Sequence, residues 1–152
     1  MKANELFTGA LARVNRDGLC IKKDTIVEVR AVDADDKLIE KGLIGSAHCR
    51  PLDDNQFEGG IWCEYLDPIP LTPEILEKNG FSLDEYGEWY ECEVSVKERN
   101  YWVNVAFRND SVSVYDLDIL TGGRSSICIH KNYVHELQHA LRLCQIEKEI
   151  EL

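Results

Sequence analysis

The sequence predicts an α+β protein. An N-terminal half of short strands forms a small bent antiparallel sheet or barrel, a short linker helix follows, and a C-terminal antiparallel β-meander is covered by a terminal helix. Three observations predict this. Between residues 6 and 66 the apolar runs are short and punctuated by turn-forming residues. Residues 88–130 alternate apolar and polar with a period of two. Residues 72–80 and 133–152 carry helix signals instead. The expected division is 1–67 for the short-strand part and 68–152 for helix, meander and terminal helix, packed as one compact unit.

In the first part, Leu6 to Val14 mixes apolar and small residues, and Asn15-Arg16-Asp17-Gly18 reads as a turn with the Asp-Gly pair supplying a positive φ. Thr25 to Val32 is a β-branched strand. Asp33 to Lys37 is a charged turn, and Leu38 to Cys49 resumes apolar character. Arg50 to Gly60 reads as a polar loop, and Ile61 to Leu66 as one short strand. Pairing these strands into a barrel would remove exposed sheet edges.

The segment from Pro68 to Phe81 specifies a helix at both ends. Thr72 is a natural N-cap, Pro73 fits the first helical position, and Glu74 suits the positive end of the helix dipole. Leu71 and Leu76 are spaced for a hydrophobic staple, Gly80 stops the helix, and Phe81 folds back on it. In the meander, Tyr90, Cys92, Val94 and Val96 share one strand face, and Tyr101, Val103, Val105 and Phe107 share another. Glu98-Arg99-Asn100 and Asn109-Asp110 supply turns. Ser111 to Ile119 changes parity partway, which a bulge or a strand end would explain. Gly122-Gly123 breaks the chain before a last strand at Ile127-Cys128-Ile129. Trp89 and Trp102 point outward and are candidates for a cross-strand pair, or for a partner surface.

The net charge of −11, from 28 acidic and 17 basic residues, opposes contact with phosphate backbones, so no nucleic-acid partner is expected. No apolar run approaches the ~20 residues of a membrane span and no signal peptide is recognisable, so the expectation is a cytoplasmic protein with no membrane contact. Six cysteines are dispersed without a C-x-x-C pair, and read as small buried thiols in a reducing compartment.

The terminal segment contains His135-Glu136-Leu137-Gln138-His139, which spells H-E-x-x-H. Histidines four apart on a helix can share one zinc, with the intervening Glu136 activating a bound water. A catalytic zinc needs a third protein ligand, and the thirteen residues after His139 contain neither His nor Asp. At ~100° per residue, Val134, Leu137, Ala140, Leu141 and Cys144 form one stripe, with His135 and His139 roughly opposite it. The expectation is therefore no catalytic residue, no metal and no cofactor. Both histidines are placed away from the sheet. A zinc-dependent hydrolase using His135, Glu136 and His139 is the alternative.

Three stretches resemble a family of uncharacterised proteins from Bacteroidetes genomes and their prophages. Asn4-Glu5-Leu6 through Gly9 is similar to that family's E-L-R-x-G opening. Asp67 through Phe81 is similar to its P-I-P-L-T-x-x-x-L-x-x-x-G-F. Tyr133 through Gln138 is similar to its Y-V-H-x-L-Q-N. The family pattern has Asn at the position of His139 and often Gln at that of Glu136, so the resemblance implies that H-E-x-x-H arose by drift. Phe7-Thr8 and the residues after Gln138 depart from the pattern. The resemblance implies architecture and a mobile-element context. The leading expectation is a non-enzymatic interaction or accessory protein with a protein partner. A further reading, an acidic decoy for a DNA-binding protein, would need carboxylates arrayed on one face.

Overall fold

A computed structural model describes residues 1–2, 5–18, 20–33, 45–53, 58–96, 99–108, 111–117 and 124–152, and among these, ten strands form two antiparallel sheets of five strands each, accompanied by two α-helices. The chain forms two compact units, Met1–Ile69 and Pro70–Leu152. The α+β class follows: one unit is a sheet with a 3-10 turn, and the other is a sheet with a terminal helix over it.

The first unit holds β1 (Leu11–Val14), β2 (Ile26–Asp33), β3 (Ser46–Pro51), β4 (Gly59–Trp62) and β5 (Leu66–Pro68), ordered β4-β3-β2-β1-β5. The expected single strand from Ile61 to Leu66 is therefore two strands. β4 pairs with β3 and β5 pairs with β1, at opposite ends of the sheet order, so the chain must leave one partner before it reaches the other. A 3-10 turn at Cys63–Tyr65 makes that change of partner.

Val27 and Val29 of β2 are fully buried, as alternation requires, but the register shifts between Val29 and Ala31 and the alternation changes there. These valines join Ala12, Val14, Ala47, Cys49 and Leu66 in the core of the unit. In the first turn the positive φ belongs to Asp24 at 66°, not to Gly18. Asp17 acts through its side chain, which accepts a 2.9 Å hydrogen bond from the Lys23 backbone. The expected turn at 33–37 and the start of the apolar stretch after it lie outside the described residues beyond Asp33.

The second unit opens with α1 (Pro73–Lys78) and continues through β6 (Ser82–Leu83), β7 (Tyr90–Val96), β8 (Arg99–Ala106), β9 (Ser111–Leu117) and β10 (Arg124–Ile129) to α2 (Val134–Leu143). The meander has five strands in sequence order, one more than the four that the alternation marks, because β6 is only two residues long. Both ends of α1 are built as the sequence predicts. Thr72 accepts a 3.3 Å bond from Ile75 N, and Gly80 sits at φ 79° with Phe81 N donating to Leu76 O. β9 keeps an unbroken register with β8 and with β10, so no bulge interrupts it. Tyr101, Val103, Val105, Val112 and Val114 line the buried face, against which α2 sets Val134, Leu137, Ala140 and Leu141. Arg99 and Asn100, expected in a turn, already belong to β8, whereas Lys97-Glu98, Asn109-Asp110 and Gly122-Gly123 lie outside the described residues.

The terminal helix stops at Leu143, well before the end of the segment that the sequence marks. Cys144 is the C-cap, Gln145 takes φ 59°, and Ile146 N donates back to Leu141 O while Gln145 N donates to Arg142 O. This is the same stop that Gly80 makes after α1, with a glutamine in the left-handed position. Side chains other than Gly and Asn are strained there. Gln145→Gly is therefore expected to raise stability by about 0.5–1 kcal/mol, read as a higher urea midpoint at unchanged slope; a lower midpoint would contradict the strain argument. Beyond the stop the chain is not helical, yet Ile146 and Ile150 are buried.

Candidate functional site

The H-E-x-x-H residues do not share an environment. His135 is 2% exposed, and its ring stacks on Tyr133 with centroids 5.7 Å apart and planes 11° apart. Its Nε2 lies 3.7 Å from Glu136 Oε1, while His139 is on the surface. Of the two histidines, expected away from the sheet and either solvated or lining a secondary contact, His139 is exposed and His135 is buried. His135 lies in the first turn, where Tyr133 of the incoming chain stacks on it. That chain is pinned. Tyr133 bridges to Pro70, Leu71 N donates to Asn132 O, and Asn132 Nδ2 donates to Ala106 O at 3.1 Å. Periodicity describes a helix alone and omits what its neighbours cover. Two imidazoles that meet at a zinc need a common opening, and among the described residues no group of three His, Cys, Asp or Glu side chains is placed to hold a metal ion. Among the described residues, His135 and His139 are not joined by a third ligand and do not fit a zinc centre.

The cysteines divide. Cys49, Cys63 and Cys92 are buried, Cys144 is partly covered, and Cys20 and Cys128 are exposed, so burial as expected holds for three of them; all six are free thiols. Burial, with Cys63 nearby adding to it, pushes the Cys49 thiol up to about 12, which keeps it protonated and unreactive near neutral pH.

A different place gathers exposed aromatic and acidic groups, at the β6–β7 connection. Asp84 closes this turn. Its Oδ1 accepts from Glu88 N at 2.6 Å and Trp89 N at 2.9 Å, its backbone N donates to Trp89 O, and its carbonyl accepts from Gly87 N. Gly87 takes φ 71°, open to glycine without strain. Desolvation works against the Asp84 carboxylate, but the backbone N–H groups of Trp89, Glu88, Tyr86 and Gly87 outweigh it and hold the carboxyl below its ordinary range. The turn so tied presents Leu83, Tyr86 and Trp89, which are 52%, 78% and 37% exposed. Beside them lies an open groove of about 490 Å³ lined by Asp84, Glu85, Tyr86, Trp89, Glu91 and Asn104.

Strand register explains why these residues meet. Glu91 lies opposite Ser82 on one side and Asn104 on the other, on the sheet face away from the buried Tyr90, Cys92 and Val103. Trp89 precedes β7 on that same face. Trp102 does not pair with it: the register sets Trp102 between Glu93 and Tyr115, two strand repeats further along. The expected tryptophan pair is therefore replaced by two separated aromatics with the Glu91–Asn104 row between them. The groove went unread in the sequence, although a signal was present. Residues 81–96 hold five carboxylates, Asp84, Glu85, Glu88, Glu91 and Glu93, with no Lys or Arg among them.

No family model, no curated protein and no solved structure matches this chain. Fold and groove together define an α+β protein with an aromatic, acid-walled surface on its second unit. Among the described residues, no helix is long and apolar enough to cross a membrane.

Proposed function

We propose that this chain is a non-enzymatic interaction or accessory protein of prophage or other mobile-element origin, and that it works by docking a protein partner. The observation that carries this reading is the exposure of Leu83, Tyr86 and Trp89 on a turn held closed by Asp84. Large apolar side chains kept at the surface of an ordered turn serve contact better than they serve folding. Rigid aromatics also bury much area at small cost in side-chain entropy. The mobile-element origin rests on the resemblance of residues 4–9, 67–81 and 133–138 to the prophage-associated family. The hydrolase alternative lacks support from the split environment of His135 and His139.

A photo-activated benzophenone side chain placed at Tyr86, with one at the exposed Arg13 of β1 as a control, tests the reading in an extract of the source cells. The expected result is a discrete cross-linked species from position 86 and none from position 13. Equal, diffuse products from both positions would remove the docking surface. Elemental analysis adds the opposing outcome: stoichiometric zinc that His139→Ala removes would establish the hydrolase instead.

A further inference from the structure

We propose that the groove receives an arginine side chain from the partner's docking segment; this rests on the interaction reading and names the chemistry of its partner. The walls of the groove offer acceptors and π faces. Asp84 Oδ1 is already engaged by two backbone N–H groups, but Glu85 and Glu91 pair with no Lys or Arg among the described residues. Their charges stand without a cation in a protein that is already at −11. Asn104 lines the same groove, directly opposite Glu91, and its Oδ1 is buried without a hydrogen-bond donor. A buried carbonyl oxygen left in that state costs free energy, which a turn of the Asn104 side chain toward an incoming donor would recover. Tyr86 and Trp89 supply flat faces at the opening.

A complementary group must carry positive charge, several N–H donors and a flat face. Guanidinium has all three, with five donors in a fixed fork and an affinity for aromatic faces. An ammonium matches the charge but not the planar stacking, so arginine is preferred over lysine. An anionic partner is opposed by every carboxylate in the wall. Because the acidic and aromatic groups sit on one turn and its adjoining strand, a short extended segment with one or two arginines is enough to engage them.

The test uses the full chain and a synthetic peptide, acetyl-Gly-Ser-Arg-Gly-Arg-Ser-Gly-amide, with counterparts in which lysine or citrulline replaces arginine. Binding is followed by tryptophan fluorescence and by NMR shifts of the Trp89 indole and Asn104 amide. The expected order is arginine over lysine, with citrulline showing no saturable binding. Trp89→Ala and the double variant Glu85→Gln/Glu91→Gln should each weaken the arginine peptide by about tenfold or more, as removal of a contact hot spot does. Glu147→Gln/Glu149→Gln, which neutralises two carboxylates elsewhere in the unit, should leave it unchanged. Equal weakening by that control pair would reduce the effect to diffuse charge and overturn the site. Equal binding of the citrulline peptide, or indifference to both groove variants, would do the same. The double variant keeps every aromatic in place, so the outcome does not depend on Trp89→Ala remaining folded. If the peptide fails to bind while cross-linking from position 86 still yields its discrete species, the arginine assignment falls and the docking reading stands. If cross-linking fails too, both fall.

Discussion

His135→Ala is expected to destabilise the second unit by about 3 kcal/mol, while His139→Ala changes its stability by less than about 0.5 kcal/mol. The two residues are one helical turn apart in a motif that treats them as equivalents. Their surroundings are not equivalent. Removing the His135 ring takes away a side chain that is almost wholly enclosed and stacked on Tyr133. The void is larger than a few methyl groups, and the pinned segment at Tyr133 limits how far it can collapse. His139 projects to the surface, where truncation leaves no cavity. Urea denaturation followed by far-ultraviolet circular dichroism reads both variants, with the slope as a check that the unfolded states are comparable. A metal-centred reading makes a different forecast, in which either change removes zinc and lowers stability by similar amounts. Equal losses for the two variants would therefore overturn the assignment of one histidine to the interior and the other to the surface.

Asn79→Ala is expected to cost about 2 kcal/mol and to release the C-terminal tail. Asn79 is 7% exposed at the C-cap of α1 and reads the backbone of Glu151 as a paired strand would. Its Nδ2 donates to Glu151 O at 2.7 Å and to Ile75 O at 2.7 Å, and its Oδ1 accepts from Glu151 N at 2.9 Å. No helix or strand holds residues 146–152, so this side chain replaces the ladder that the tail lacks. Ile146 and Ile150 supply the buried apolar anchors on the same stretch. Alanine removes all three side-chain hydrogen bonds at once, while the Ile75 carbonyl keeps the Asn79 backbone N–H as a donor. Hydrogen exchange localises the effect: protection at Glu151 should be lost first, with the β8 and β9 amides retaining theirs until global unfolding. A midpoint within error of the unsubstituted protein would show that the clamp contributes no stability.

The contrast between these two sites shows how far the amino-acid pattern reaches. Around α1 it reaches nearly everything. Thr72, Pro73, Gly80 and Phe81 act on backbone groups within one or two turns of themselves, and local steric and hydrogen-bonding preferences settle their roles. The partner of Asn79, in contrast, lies 72 residues away. Nothing near residue 79 marks it as more than the residue before a helix-stopping glycine. The same holds for the groove. Each carboxylate of residues 84–93 is visible in the chain, yet only the pairing of Glu91 with Asn104 and the turn closed by Asp84 bring them to one place with Tyr86 and Trp89.

His135 makes the point most sharply. Its phase on the helix is a local property, and by phase it belongs to the outer side. Its ring is stacked on Tyr133, which belongs to a segment anchored to Pro70, Leu71 and Ala106. By itself the sequence determined the α+β class, the capped helix at residues 73–78 and the inward faces of β7, β8 and α2, because these follow from periods of two and 3.6 residues and from short-range caps. Tertiary structure alone decided that β4 and β5 are separate strands, that the terminal helix gives way to a clamped tail, and that the two histidines of one motif have different surroundings. For the strands and the tail the deciding interaction joins groups far apart in the chain, and for the histidines burial is a property of everything that packs around a residue.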